Sequence, residues 1–149
     1  KKLLALCWNM MGDREEARDA AQDALLQAFQ NFASFDAGRS FAKWLLGIGA
    51  KRCLDRLRRR RTFLRIFQGH AGEWLGRGEP RPEVAAGSER AGRLLQQLSA
   101  RERAAISLAV FEDFSAREIA ATLGCSENTV RVHLFNARVK LKKEVANAV

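Results

Sequence analysis

The stretch from Asp113 to Lys143 has the residue types and spacing of a surface that reads nucleic acid. At about 100° per residue, its second predicted helix turns one guanidinium outward, that of Arg131, among amide and apolar side chains. A guanidinium can pair with two acceptors of guanine in a major groove, where the first residues of such a helix meet base edges. The candidate DNA-contacting residues are Ser126, Glu127, Asn128, Thr129, Arg131, Val132, Phe135 and Asn136.

Two helices and a tight turn position these residues. Ser115 is a predicted N-cap of the first helix, with Glu118 three residues further on as in a capping box. Gly124 follows that helix, where a left-handed C-terminal cap favours a residue without a Cβ. The second helix has a core stripe at helical spacing: Val130, Leu134, Ala137 and Leu141. The pattern predicts a helix-turn-helix, completed by a third helix over residues 99–114. An ordinary helical hairpin with a solvated charged face is the open alternative.

Composition and charge limit the classes of function. The 149 residues are 47% hydrophobic and carry a formal net charge of +9, so a polyanion, nucleic acid before an acidic membrane, is the first partner to expect. No apolar run reaches the roughly 18 residues of a spanning helix, and we expect a soluble, cytoplasmic protein. Cys7, Cys53 and Cys125 are widely spaced in apolar settings, which predicts buried thiols. We expect no metal, no cofactor and no enzymatic activity, because no ligand spacing, phosphate loop or catalytic motif is readable.

A long helix predicted from Arg14 to Phe32 has two distinct faces, and Asp13 is its predicted cap. The predicted core face consists mainly of small residues: Ala17, Ala21, Ala24, Leu25, Ala28 and Phe32. The opposite face carries acceptors together with two large apolar residues: Asp19, Gln22, Asp23, Leu26 and Phe29. We interpret this second face as a partner surface, although scattered exposed apolar residues are common.

A loop over residues 33–40 separates this helix from the next, predicted from Phe41 to Arg61. Its second half is strongly basic, through Lys51, Arg52, Arg56 and the run Arg58 to Arg61, which is more positive charge than a helix dipole explains. Residues 62–88 contain Pro80, Pro82 and several glycines and predict an irregular linker. Its apolar side chains could pack on either domain, enter a channel of a larger partner, or bind a regulator.

Two blocks of sequence together resemble the extracytoplasmic-function (ECF) sigma factors of the sigma-70 family. DREEARDAAQDALLQAFQNFASFD, SFAKWLLGI and CLDRLRRRR resemble region 2, and LLQQLSARERAAISLAVFEDFSAREIAATLGCSENTVRVHLFNARVKL resembles region 4. The resemblance implies an all-α fold of two small helical domains joined by an irregular linker. Region 2 occupies residues 1–61, the linker 62–88, and region 4 with its helix-turn-helix 89–149. It further implies binding to core RNA polymerase, recognition of minus-10 and minus-35 promoter DNA, and help in opening the duplex.

The resemblance also assigns roles by position. Asp19, Gln22, Asp23, Leu26 and Phe29 match the helix that binds the polymerase clamp, and the outward face of the last helix matches the minus-35 reader. The residues that match minus-10 contacts are Phe35, Asp36, Lys51, Arg52, Arg58 and Arg59. Trp44 matches an aromatic near the melting fork, and its helical stripe suits core packing equally well. Lys51 stands where many relatives carry Asn, so promoter preference is expected to differ.

Two other functions are compatible with parts of the sequence. A free-standing regulator of the LuxR type would use residues 113–143 alone, and a helical interaction module would make no sequence-specific DNA contact. The region 2 resemblance argues against the free-standing regulator. An anti-sigma factor is a further possible partner.

Overall fold

The computed structural model describes residues 1–67 and 86–148, and these are helical and without strands, as the sequence predicts. The α-helices are α1 (Lys2–Met11), α2 (Arg14–Gln30), α3 (Phe41–Ile66), α4 (Ala86–Gln96), α5 (Ala100–Ile106), α6 (Ala116–Leu123) and α7 (Glu127–Asn147). A short 3-10 turn, Phe32–Ser34, follows α2. Helix α3 continues five residues past Arg61, and most of the predicted linker, with Pro80 and Pro82, lies outside the described residues.

Local sequence signals set the helix ends. The Asp13 carboxylate accepts a hydrogen bond from the Glu16 amide at 2.8 Å at the start of α2. Ser115 and Glu118 form the predicted reciprocal capping box of α6, with bonds of 2.8 and 3.1 Å. Gly124 ends α6 in the left-handed conformation, at φ 67°. The caps predicted for α2 and for the helix-turn-helix are therefore confirmed.

Helices α1, α2 and α3 form the first unit around a core of small residues. Five alanines of α2 are buried, which lets the neighbouring helices approach closely: Ala17, Ala20, Ala21, Ala24 and Ala28. Helix α3 approaches α1 at Gly49, where an added Cβ would stand 2.5 Å from Cδ1 of Leu3. Two residues that the sequence pattern assigns to the core face of this helix are instead exposed, Leu25 at 52% and Phe32 at 59%.

Helices α4 to α7 form the second unit. Val130, Leu134 and Ala137 of α7 are buried against it, as the stripe in the sequence predicts. The predicted helix over residues 99–114 is instead split: α5 ends at Ile106 and a π-helical segment, Ser107–Phe111, follows. The backbone then turns through Asp113 at φ 58°, a conformation that favours Asp and Asn among residues with a side chain.

The two units pack directly against each other, which the sequence pattern does not predict. Helix α1 contacts α4, α5 and the π-helical segment, and α3 contacts α5 and α6. The Lys43 ammonium of α3 donates to both carboxylate oxygens of Glu118, at 2.8 and 2.9 Å, and lies 5.3 Å from the centre of the Phe114 ring. The guanidinium of Arg103 on α5 donates to the Met10 carbonyl at the end of α1. Apolar residues of both units therefore belong to one continuous core.

Candidate nucleic-acid interface

The start of α7 presents polar side chains on the surface. Ser126 caps the helix by accepting from the Thr129 amide at 3.1 Å, and the two hydroxyls lie 2.9 Å apart. The Arg131 guanidinium donates to the Asn128 side-chain oxygen at 3.0 Å and contacts Glu127 at 3.4 Å. Arg131 remains 62% exposed, so these contacts hold its planar fork at the surface and leave it accessible to a ligand.

The same outward side of α7 carries apolar residues. Val132 is 56% and Phe135 67% exposed, while Asn136 is half-buried. The eight sequence-predicted residues therefore lie on the cap and the first half of α7, where all are exposed except Glu127 and Asn136, which are half-buried. A face that combines one guanidinium, hydroxyls and apolar groups can meet base edges, thymine methyl groups and phosphates.

The basic half of α3 contains both exposed and half-buried side chains. Lys51, Arg58 and Arg59 are exposed, and the Arg58 guanidinium lies 3.3 Å from the Asp55 carboxylate on the preceding turn. Arg52 is half-buried and donates to the side-chain oxygen of Gln27 on α2. Three of the four predicted basic contacts are therefore accessible, whereas Arg52 is held against α2.

Aromatic rings cluster around the loop between α2 and α3. The ring centre of Phe35 lies 5.0 Å from that of Trp44 and 5.4 Å from that of Phe41, and Phe32 stacks on Phe35 at 6.0 Å. Asp36 beside them accepts from the Gly38 amide at 2.9 Å, which shapes the turn. Phe32 and Phe41 belong to the same cluster and are exposed, although the sequence pattern places Phe32 on the core face of the predicted helix. Partly exposed rings of this kind offer stacking surfaces to unpaired bases.

The outer face of α2 is accessible as the sequence predicts. Leu26 is 57% and Phe29 82% exposed, and Asp19 and Gln22 lie beside them. Asp23 is paired with Arg56 of α3. Its carboxylate, through that hydrogen bond, raises the pKa of Arg56, so Asp23 also ties α2 to α3.

A cleft of about 620 Å³ lies between the basic half of α3 and the helix-turn-helix. Lys51 and Arg58 line one wall, and Leu123, Gly124 and His133 line the other. Two surfaces that are far apart in sequence therefore face each other, and the basic face of α3 opposes the turn of the second unit.

Known families match both units in the same order. The Sigma-70 region 2 family matches residues 1–63, and the family described as Sigma-70, region 4 matches residues 88–141. A curated relative, the RNA polymerase sigma-H factor of Pseudomonas aeruginosa, is 30% identical over 156 residues, which span 95% of this chain and 79% of that protein. The chain belongs to the ECF sigma factors of the sigma-70 family.

Other ECF sigma factors agree with this assignment. SigW of Bacillus subtilis is 29% identical, with 97% of this chain and 83% of that protein covered. SigM of Mycobacterium tuberculosis is 33% identical, and the chain spans 64% of its length. Among solved structures, RpoE of Bartonella quintana in complex with the anti-sigma factor NepR matches with a TM-score of 0.77 at 26% identity, over 97% of this chain and 89% of that one. CnrH in complex with the cytosolic domain of CnrY matches with a TM-score of 0.69 at 25% identity, over 99% and 82%.

This sigma factor directs RNA polymerase to promoters, and the match of residues 1–63 to region 2 argues against a free-standing LuxR-type regulator. Within residues 1–67 and 86–148, no helix is long and apolar enough to cross a membrane. The same residues contain no group of three or more His, Cys, Asp or Glu side chains that could hold a metal ion. Cys7 and Cys53 are free and buried, and Cys125 is half-buried.

Proposed function

We propose that the outer face of α2 binds the polymerase clamp, and that this contact distinguishes a sigma factor from a DNA-binding protein that acts alone. The observation that supports it most is Phe29, which is 82% exposed on a helix whose opposite side buries five alanines. A large exposed ring flanked by Leu26 and by acceptors such as Asp19 and Gln22 has the composition of an interface hot spot.

The loop after α2 and the exposed side of α3 bind the minus-10 element in this proposal. The rings around Phe35 supply stacking surfaces for bases released from the duplex, which would assist melting, and Asp36 offers an acceptor beside them. Lys51, Arg58 and Arg59 contact phosphates. Arg52 acts through α2 rather than directly, since its guanidinium is bonded to Gln27.

The start of α7 reads the minus-35 element in its major groove. Arg131 is its most specific group, because a planar fork pairs with O6 and N7 of guanine in a way that Lys cannot reproduce. Asn128 and Glu127 orient that fork in the absence of DNA. The remaining outward residues provide contacts with base edges, methyl groups and the backbone.

Binding of both elements requires the two units to separate. The names of the elements place their centres roughly 25 base pairs apart, or about 85 Å of duplex at about 3.4 Å per pair. In the structure α3 touches α5 and α6 directly, and Lys43 bridges the units. The packed arrangement is therefore incompatible with simultaneous contact to the two elements.

The protein is a non-enzymatic cytoplasmic factor whose chemistry is supplied by the polymerase. An anti-sigma factor is a candidate partner, since the similar structures of RpoE and CnrH are complexes with NepR and CnrY. Such a partner would hold the units together and away from promoter DNA.

The clamp assignment can be tested by measuring the affinity of the protein for core polymerase. Phe29→Ala should weaken binding by about 2 kcal/mol, roughly 30-fold, without lowering the free energy of unfolding. Leu4→Ala is the matched control, because Leu4 is also exposed, at 42%, but lies on α1. Unchanged polymerase affinity for Phe29→Ala would contradict the assignment.

A further inference from the structure

The cleft between the basic half of α3 and the helix-turn-helix, which we call the inter-unit cleft, gathers positive charge from both units. Its basic lining residues are Lys51, Arg58, Arg61, Arg101 and His133. The first three belong to α3, whereas Arg101 lies on α5 and His133 on α7. The lysine and the three arginines are exposed, and His133 is half-buried. Cationic side chains of two units therefore meet around one concave volume of about 620 Å³.

The inter-unit cleft holds little negative charge to neutralise these cations. Among the described residues, the lining includes one carboxylate, that of Asp55, which lies 3.3 Å from the Arg58 guanidinium. In the same part of the chain, Lys51, Arg61 and Arg101 form no ion pair. A cleft lined by one sign of charge between protein walls concentrates the electric field and attracts ions of the opposite sign. The charge balance therefore favours an anion as the occupant.

The neutral polar groups of the inter-unit cleft are already bonded within the protein. The Ser99 hydroxyl accepts from a backbone amide of α5 at 3.2 Å, and the Thr122 hydroxyl donates to a carbonyl one turn earlier at 2.9 Å. Arg101 donates to the Leu123 carbonyl at 3.1 Å, which holds its guanidinium against the second unit. That bond uses one of the five N–H donors of an arginine. The donors left for a ligand are therefore mainly cationic, which suits phosphate oxygens better than a neutral hydroxyl or amide.

The size and the charge of the inter-unit cleft together define the class of its ligand. Its volume falls within the roughly 300–1,000 Å³ of small-molecule sites. A single phosphate group carries about two negative charges at neutral pH, so several linked phosphates match four cations better than one does. Leu54 and Leu57, both half-buried, line the α3 wall beside the cations and offer apolar surface to a base. We propose that the inter-unit cleft binds a small polyphosphate anion, either inorganic or carried by a nucleotide.

The polyphosphate site differs from the proposed promoter contacts in its residues and in the arrangement it needs. Arg61, Arg101 and His133 have no role at either promoter element, whereas Lys51 and Arg58 are shared with the minus-10 surface. The site is complete only while the two units are packed, because its walls come from both. A ligand bound across the units therefore stabilises the packed arrangement by mass action. If the units separate to reach both elements, a consequence that rests on the proposed function, this ligand opposes promoter binding.

The test uses the full chain without polymerase or DNA, so its outcome does not depend on the proposed function. Isothermal titration calorimetry at constant ionic strength, without divalent cations, measures the binding of inorganic tripolyphosphate, adenosine triphosphate, adenosine monophosphate and sulfate. Arg61→Gln and Arg101→Gln each remove one cation, from opposite walls of the inter-unit cleft. Arg65→Gln and Arg138→Gln are the matched controls, because each removes one exposed arginine of α3 or α7 that does not line the cleft.

We expect one tripolyphosphate to bind per chain, at least about tenfold more tightly than sulfate or adenosine monophosphate. Arg61→Gln and Arg101→Gln should each weaken this binding about tenfold, since each removes a charge-assisted hydrogen bond, and both controls should bind as the wild type does. The comparison with adenosine triphosphate distinguishes the two sources of polyphosphate. Tighter binding of the nucleotide would show that Leu54 and Leu57 contact its base, and tighter binding of tripolyphosphate would identify an inorganic ligand. Equal affinity would show that the phosphates alone are recognised.

Several results would overturn the proposal. Binding without saturation, equal binding of sulfate, or equal losses in all four variants would show only the general attraction of anions to a chain with a formal net charge of +9. Unchanged binding by Arg101→Gln would show that the site does not span the two units. Circular dichroism checks that each variant is folded, and the comparison of probes on the wild type decides the question if a variant is not.

Discussion

Arg103 is the buried charge that joins the two units, and its removal gives a sharp test of the packed arrangement. The residue is 7% exposed, and its guanidinium donates to the carbonyls of Leu95 at 3.0 Å, Leu98 at 3.1 Å and Met10 of α1. Burial, together with repulsion from Arg60, lowers the pKa of Arg103. Arg103→Met keeps the apolar stem and removes every donor.

The expected loss follows from the acceptors that remain. The Leu95 carbonyl also accepts from the Leu98 amide at 3.1 Å, whereas in the described part of the chain the Met10 and Leu98 carbonyls depend on Arg103. Two buried carbonyls without donors cost about 1–3 kcal/mol each. The substitution also removes the cost of keeping a charged guanidinium away from water, which offsets part of this loss. We therefore expect Arg103→Met to lower the free energy of unfolding by about 2–4 kcal/mol, a large share of the roughly 5–15 kcal/mol of a typical domain.

Urea unfolding followed by circular dichroism measures this change. Arg101→Met is the matched control on the same helix, because Arg101 is exposed and its guanidinium donates to the Leu123 carbonyl at 3.1 Å. Arg101→Met should lower the free energy of unfolding by less than about 1 kcal/mol. A change for Arg103→Met no larger than that of the control would refute the reasoning that this guanidinium caps α1 across the units.

Three other sites test a buried carboxylate, a close contact between helices and the DNA-reading face. Burial alone would raise the pKa of Glu102, but hydrogen bonds from Lys140 and the Ser99 backbone hold it below its ordinary value of 4.5. The ionised Glu102 carboxylate therefore stabilises the protein above pH 4.5, and this contribution is lost as the pH falls below 4.5. The difference in the free energy of unfolding between the wild type and Glu102→Gln should shrink in acid. Urea unfolding at several pH values measures this difference. Gly49→Ala should lower the free energy of unfolding by about 1–2 kcal/mol after its gain in helix propensity, because the new Cβ would stand 2.5 Å from Leu3. Gly47→Ala should not destabilise the protein, because its Cβ would lie at an ordinary 3.5 Å from Thr122. Melting curves of the two variants measure the difference. Arg131→Ala should weaken discrimination at one minus-35 base pair by about 1–3 kcal/mol and leave polymerase binding unchanged. Equal losses of initiation on all single-base variants of the element would show instead that Arg131 contacts a phosphate.

Helix caps and buried stripes could be predicted because they depend on residues close in sequence. Ser115 and Glu118 are three residues apart, and the left-handed turn at Gly124 needs no distant partner. Helical periodicity does not decide whether Leu25 is buried. At about 100° per residue Leu25 lies about 80° from Ala17 around the helix, at the border of the alanine stripe. Helix α2 ends at Gln30, so Phe32 does not follow the helical phase at all.

Contacts between the units could not be predicted, because they join residues that no local pattern relates. Lys43 and Glu118 are 75 positions apart, and the bond from Arg103 to Met10 spans 93. Among the site residues, exposure of the α2 and α7 faces followed from periodicity. The pairing of Arg52 with Gln27 and of Asp23 with Arg56 did not, since it depends on how α2 crosses α3.

We propose that this chain directs core polymerase to specific promoters through both of its units. The most direct test is run-off transcription with bacterial core polymerase on a library randomised in the minus-10 and minus-35 elements, followed by sequencing of the transcripts. We expect initiation at promoters enriched in both elements, and we expect Arg131→Ala to change the preference only at minus-35. Initiation by core polymerase in the absence of this sigma factor, or transcripts with no enrichment in either element, would contradict the proposed function.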